Sequence, residues 1–436
     1  MSEIEKLIQE LCPDGVPFKK LGEIGSFYSG LSGKNKEDFK AGNSKYITYM
    51  NVYSNPAVSL DISDFVDVNL NENQNSIQKG DILFTASSET PDECGMSSVV
   101  DVDIKENIYL NSFCFGFRLI DISKFNTGFL KHLFRSPKVR KQIARTANGV
   151  TRFNVSKKLF AELEIPVPPL AVQNKIVEIL DNFTSLTAEL EAELEARKRQ
   201  YEYYRNLLLT FNPVANGAVT GGEQQIGDGF TPPIKSLNIR YLSLGEMGTF
   251  IRGKYLQKKD FVDNGYPCIH YGQLYTYYGT SADKTISFVS QEVAEKSSIA
   301  SKNDLLITLT SENEDDVCKP LAWLGEEDIA VSGHMVIYKH NQNPKYLSYL
   351  LQSEQFFIDK RKIAHGTKVI EVKPDNLAKI VVPIPPLDEQ ERIVAILDSF
   401  ETLVNDLTAG LPAEIESRRK QYEYYRNKLL TFKKIA

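Results

Sequence analysis

The chain is poor in the residues that usually announce chemistry. Its 436 residues include five cysteines, five histidines, five methionines and one tryptophan. The cysteines (Cys12, Cys94, Cys114, Cys268, Cys318) are odd in number, scattered and without a C-x-x-C pair. That excludes a disulfide framework and a zinc knuckle, and leaves them as reduced core residues. The histidines (His132, His270, His334, His340, His365) show neither H-E-x-x-H nor zinc spacing. GLSGK at 30–34 lacks the spacing and the Ser/Thr of a phosphate-binding loop. There is no glycine-rich S-adenosylmethionine loop and no acidic-Pro-Pro-aromatic methyltransferase motif, since NPKY from Asn343 has one proline where two are needed. No apolar run approaches the roughly 18 residues that cross a bilayer. The start, MSEIEKLIQELCPDG, has no apolar signal core, so the expected location is the cytoplasm.

Acidic side chains are also missing locally. The formal net charge is -6, yet no Asp or Glu occurs from Ile122 to Ala161, where ten bases stand: Lys124, Lys131, Arg135, Lys138, Arg140, Lys141, Arg145, Arg152, Lys157 and Lys158. Acids crowd elsewhere, in AELEAELEA and DISDFVDV. The distribution of charge outweighs its sum, and an acidic protein can carry a basic face suited to nucleic acid.

What is present is present twice. LGEIGSF from Leu21 returns as LGEMGTF from Leu244, and KGDILFTASSE from Lys79 returns at the same spacing as KNDLLITLTSE from Lys302. YITYMNVY (46–53) matches CIHYGQLY (268–275), and IPVPPLAVQNKIVEILDNF from Ile165 matches VPIPPLDEQERIVAILDSF, which ends at Phe400. RKRQYEYYRNLLLTF (197–211) closes the first copy and RRKQYEYYRNKLLTF (418–432) the second. The chain is a tandem duplication, and each unit is a mixed globular segment followed by a long helix. Short β-rich runs such as DILFTA and NSFCFGFRLI, with one amphipathic helix expected in TGFLKHLFRSPKVRKQIART, make the globular parts α+β. The boundaries read as globular domains at 1–166 and 236–383, long helices at 167–211 and 384–436, and a Gly/Pro-rich linker at 212–235.

Pro168-Pro169 suits a helix start, and an apolar seam then steps by threes and fours: Ile176, Leu180, Phe183, Leu186, Leu190, Leu194, Arg197, Tyr201, Tyr204, Leu208, Phe211. The second seam runs Ile393, Leu397, Phe400, Leu403, Leu407, Leu411, Ile415, Arg418, Tyr422, Tyr425, Leu429, Phe432, longer by one turn. Such seams are coiled-coil in spacing, and each is the obvious partner of the other. Gly410 and Pro412 predict a kink or break in the second helix. Parallel helices would carry both globular parts at one end. Antiparallel helices, the arrangement expected here, would relate them by a pseudo-twofold axis, matching the pseudo-symmetry of two DNA half-sites held at a fixed separation.

The two copies of I/V-P-x-PPL-x-x-Q-x-x-IV, with Gln173 and Gln390, resemble the specificity subunit of type I restriction-modification systems over the whole chain. The two RKQYEYYR-type helix ends share the resemblance, as do AELEAEL in the central helix and NGVTRFNV (148–155) and HGTKVIEV (365–372) at the domain ends. The resemblance implies two target recognition domains, each reading half of a split double-stranded DNA site, joined by helices that dock two methyltransferase subunits, with restriction/translocation subunits completing the complex. It implies a non-catalytic chain without a cofactor, S-adenosylmethionine being carried by the partners. The residues expected at the helix docking surface are Gln173, Tyr203, Arg205, Gln390, Tyr424 and Arg426.

Arg and Lys set position on phosphates, while Arg, Asn, Gln, Ser and Thr read base edges. On that chemistry the candidates in the first domain are Lys34, Lys36, Thr85, Ser87, Thr151, Arg152 and Asn154. In the second they are Arg252, Lys254, Lys258, Lys259, Thr308, Thr310, Thr367 and Lys368. Two rivals remain. A coiled-coil scaffold leaves the acid-free run unexplained. A nuclease built on Glu371, Lys373 and Asp359 is disfavoured, because the repeat counterparts Asn154, Val155 and Ser156 could hold no metal.

Overall fold

The computed structural model describes residues 3–40, 42–69, 71–211, 238–405 and 409–435. The expected linker at 212–235 and the seam residue Leu407 lie outside them. The chain divides into two compact units. Unit 1 takes in residues up to 191 together with those from 414 onward, and unit 2 takes in 192–413. Each unit therefore combines one globular segment with parts of both long helical regions.

Unit 1 is built on an antiparallel sheet of β1 (Gly25–Ser29), β2 (Ile82–Thr85), β3 (Ser97–Val99) and β4 (Cys114–Leu119), in the order β1-β4-β2-β3. All four residues of β2 are buried, which is why DILFTA reads as a continuous apolar run rather than an alternating one. Phe84, Phe115 and Phe160 fill the core, with Phe84 stacked on Phe115 at 5.4 Å and edge-on to Phe160 at 4.9 Å. The single helix expected in 127–146 is two, α1 (Thr127–Phe134) and α2 (Pro137–Ala144). Pro137 is the cause: it lacks an N–H and drives Ser136 to extended backbone (φ -72, ψ 145), and it then occupies the first turn of α2, where a missing donor costs nothing. A short pair, Phe18–Lys20 against Glu164–Pro166, leads into α3 (Leu170–Leu209), a helix of 40 residues.

Unit 2 repeats the plan. Its sheet holds β5 (Gly248–Arg252), β6 (Ser281–Ala282), β7 (Leu305–Thr308), β8 (Pro320–Trp323) and β9 (Met335–His340), in the order β5-β9-β7-β8-β6. Its first four positions reproduce unit 1, and β6 adds a parallel edge on β8. Helices α4 (Pro344–Leu350) and α5 (Glu354–Arg361) take the places of α1 and α2. The second helical region is broken as expected: α6 (Leu387–Asn405) and α7 (Leu411–Leu429) are separate helices, with Pro412 in the first turn of α7, where proline is tolerated.

Within unit 1, α3 and α7 run antiparallel. Phe183 stacks on Tyr425 at 5.2 Å and Glu191 pairs with Arg419 at 2.5 Å, so numbers rise on one helix as they fall on the other. In unit 2 the last turns of α3 meet α6, with Tyr204 stacked on Phe400 at 5.3 Å. The seam is not uniform. Ile176, Leu180, Tyr201, Tyr204 and Leu208 are buried, whereas Leu186 is 44% exposed and Leu190 and Leu194 are half-buried. The helix ends lie against a globular core as well as a second helix, and the AELEAEL segment has less apolar surface to cover it.

Candidate nucleic-acid interface

Past β2 the chain of unit 1 continues as Ser87–Ser88, which pairs with Phe153–Val155, and that strand pairs in turn with Ala147–Asn148. The register sets Asn154 opposite Ser87. The turn joining the last two strands depends on Gly149, whose φ is +150 and whose Cβ, if it had one, would lie 2.0 Å from the Arg152 carbonyl oxygen. This tight turn leaves Thr151, Arg152 and Asn154 exposed and Val150 90% exposed at its tip. The Arg152 guanidinium donates from Nη2 and Nε to Ser87 Oγ at 3.0 and 3.2 Å and lies over the Phe113 ring at 5.3 Å. Phe113 is itself 53% exposed. Four of the expected residues, Ser87, Thr151, Arg152 and Asn154, are thus gathered on one small sheet, Ser87 buried beneath the Arg152 guanidinium and the other three exposed.

That sheet is braced from below. Tyr49 Oη donates to the Ser87 carbonyl at 2.9 Å, and Arg140 reaches the carbonyls of Asp92, Cys94 and Gly95. Glu93 accepts from Ser88, Thr90 and Tyr53, and these bonds, Thr90's first, hold its carboxyl below the usual range.

Unit 2 has the same platform. Thr310–Ser311 pairs with Ile370–Glu371, Thr310 opposite Glu371, and His365 bridges Glu371 through two backbone bonds. Gly366, at φ +127, makes the turn, its imagined Cβ 2.0 Å from the Val369 oxygen. Thr367 and Lys368 stand exposed at its tip. His334 occupies the place of Phe113: it is exposed, and its Nδ1 lies 3.2 Å from Thr310 Oγ1. Arg252, at the end of β5, approaches the Glu371 carboxylate at 3.8 Å, and Lys254, Lys258 and Lys259 follow it, all exposed.

Several expected residues are employed elsewhere. Thr85 and Thr308 are fully buried, and their hydroxyls accept from the amides of Met96 and Lys319 at 2.9 Å, tying a strand end to its neighbour. They have nothing to offer a base. Lys34 is also corrected: its side chain is 6% exposed and paired with Glu72 at 2.6 Å. The Glu72 carboxyl is held down to about 2 by Lys34 first, then by Gln74 and Asn69. Lys36 remains exposed.

The acid-free run is likewise not a single basic face. Arg135 donates to the carbonyls of Ser97, Val52, Tyr53 and Asn55, and burial lowers its pKa to about 10. Arg140 is spent as described, and Lys131 pairs with Asp181 at 2.8 Å. Lys124, Lys138, Lys141, Arg145, Arg152, Lys157 and Lys158 are the members left exposed.

The helix residues also divide. Gln173 and Gln390 are fully buried. Gln173 Oε1 accepts from the Asn126 amide at 2.8 Å, while its Nε2 donates to the carbonyls of Lys124 and Pro168 at 2.9 and 2.7 Å. Gln390 does the same with the Asn343 amide, the Pro385 carbonyl and Gln342 Oε1. The assignment of both glutamines to a docking surface is therefore corrected: each fastens the first turn of a long helix to the cap of α1 or α4. Tyr203 and Tyr424 are 45% and 61% exposed. Arg205 and Arg426, half-buried, lie over the rings of Tyr201 and Tyr422 at 5.5 and 5.3 Å.

Phe113, His334 and Glu371 are members of the platform that single residue types did not suggest. The duplication is the signal that could have found them, because the residues flanking Ser87 and Asn154 in one copy point to their counterparts in the other.

A duplicated α+β fold, each copy presenting the same small exposed sheet and feeding a long helix, defines a two-domain recognition protein. The type I restriction modification DNA specificity domain matches residues 13–197 and again 238–417, and the chain belongs to that family. The specificity subunit of the type I restriction enzyme EcoR124I/EcoR124II of Escherichia coli is 34% identical over 291 residues, 63% of this chain and 65% of that protein, just under two thirds of its length. A putative type I specificity subunit of Haemophilus influenzae is 33% identical over 318 residues, 71% of this chain and 73% of that one. Among solved structures, a chain from work on the assembly and conformational transition of the type I system superposes with a TM-score of 0.58 at 17% identity, covering 96% of this chain and 98% of its own. The S subunit of M. genitalium gives 0.50 at 16% identity, covering 95% and 96%. Both share the fold.

Proposed function

We propose that this chain is the non-catalytic DNA-reading subunit of a type I complex, each unit recognising one half of a split target through its small exposed sheet. The observation that carries the reading is the repetition of that sheet: Ser87 and Asn154 in one unit and Thr310 and Glu371 in the other stand paired beside a glycine-turned tip rich in polar and basic residues. Base edges are read by such hydrogen-bonding side chains, and the neighbouring Lys and Arg residues neutralise phosphates. Two methyltransferase subunits dock on the helices, with Tyr203, Arg205, Tyr424 and Arg426 as the surface offered. Restriction/translocation subunits join that assembly in the cytoplasm. The chain itself needs no cofactor, and S-adenosylmethionine belongs to the methyltransferases. No described helix is long and apolar enough to cross a membrane. The test is selection from random duplex DNA by the complex assembled with its methyltransferase subunits. Enrichment of two short sequences at fixed spacing supports the reading; enrichment of none returns the chain to a protein scaffold.

A further inference from the structure

Glu371 is an odd residue to find in a surface meant for DNA. A carboxylate repels phosphate, and the loops around it carry Lys254, Lys258, Lys259 and Lys368. It is not there by accident of exposure. Ile370 and Val372 on either side are buried, so alternation along the strand turns the Glu371 side chain away from the core, onto the face where Thr310 stands opposite it. His334 is bonded to that threonine and Arg252 stands 3.8 Å from the carboxylate. In unit 1 the same strand position, opposite Ser87, is held by Asn154.

We infer that Asn154 and Glu371 are one reading position used twice, and that Glu371 makes unit 2 select cytosine or adenine, the bases whose exocyclic amino group faces the major groove, on the strand it contacts. This inference rests on the DNA-reading function proposed above. The physical reason is the inventory of hydrogen-bonding groups. An ionised carboxylate only accepts, so it can pair with the amino group of cytosine or adenine but is repelled by the O6 and N7 acceptors of guanine and the O4 of thymine. Asn154 carries both an acceptor and donors, and suits an adenine edge, which offers both. Arg252 offsets the cost of bringing a negative charge to DNA, while lying far enough off to leave carboxylate oxygens for a base.

The experiment is a base-resolution map of adenine methylation made by the full complex, comparing wild type with Glu371→Gln. Glutamine keeps the length and adds a donor. The expected result is that one position of one half-site loses its preference for the amino-bearing base by about tenfold or more, with the other half-site and the spacing unchanged. An unaltered motif overturns the inference, and so does equal weakening at every sequence, which would mark a phosphate-facing or structural role. If the wild type itself yields no two-part motif, the DNA-reading function falls and this inference with it. Should Glu371→Gln fail to fold, Asn154→Glu decides. It should shift one position of the other half-site toward an amino-bearing base, and an unshifted motif refutes the inference.

Discussion

Replacing Gln173 with leucine removes a buried tether without opening a large cavity. The amide makes three hydrogen bonds, at 2.8, 2.9 and 2.7 Å, and is fully buried, so the Asn126 N–H and the Lys124 and Pro168 carbonyls lose their partner with little water to replace it. A buried bond contributes about 1 kcal/mol net and each orphaned group costs about 1–3 kcal/mol, so Gln173→Leu should destabilise unit 1 by about 3–4 kcal/mol. For a body of this size that is a fall in Tm of roughly 10 °C. Hydrogen exchange should locate the loss in the first turns of α1 and α3. Docking of methyltransferase subunits, measured in the cold where the variant is folded, should be unchanged. A loss below about 1 kcal/mol would refute the tether. Weakened docking with stability intact would restore Gln173 as a contact residue. Gln390→Leu is the internal replicate and should weaken unit 2 alike.

His340 is half-buried, its Nδ1 accepts from the Gln342 amide, its enclosed Nε2 has no protein partner, and burial pushes its pKa down to about 4. The unfolded chain takes up the proton near 6.5. Unit 2 should therefore hold its full stability above that pH and lose roughly 3 kcal/mol as pH falls from about 6.5 to about 4. His340→Phe should flatten that segment of a pH-melting curve, and an unchanged slope would refute it. Arg152→Ala removes the guanidinium shared by Ser87 and Phe113; DNA affinity of the assembled complex should fall about tenfold with assembly unaffected, and equal affinity would contradict the assignment. Gly149→Ala must distort its turn, at a local cost of about 1–3 kcal/mol. It should lower affinity for DNA while leaving the melting of the sheet core nearly unmoved, and wild-type affinity would show that the tip makes no contact.

The tandem plan was legible because duplication is a pattern of sequence, independent of packing. So was the break before Pro412, since proline's missing N–H acts locally wherever it falls. The tip residues Thr151, Arg152, Thr367 and Lys368 were legible because NGVTRFNV and HGTKVIEV share the family resemblance and hold residue types that contact DNA. What was hidden is where each side chain ends. Thr85 and Ser87 both look available in TASS, yet Thr85 is consumed by the Met96 amide and Ser87, 4% exposed, accepts from the Arg152 guanidinium. Arg135 and Arg152 stand in one acid-free run, yet Arg135 is enclosed by four carbonyls and Arg152 is exposed. Gln173 belongs to a motif whose purpose reads as docking until its amide is found bonded on both sides to its own domain. Charge and polarity are visible in a sequence, but the partners that use them are brought together by the fold.

The most direct test of the central claim is a base-resolution map of methylated adenine in the native host, with and without this chain. The account predicts that removing the chain abolishes methylation at one two-part motif interrupted by unspecified bases, and that restoring it brings back the same motif. Methylation that persists unchanged without the chain would contradict it.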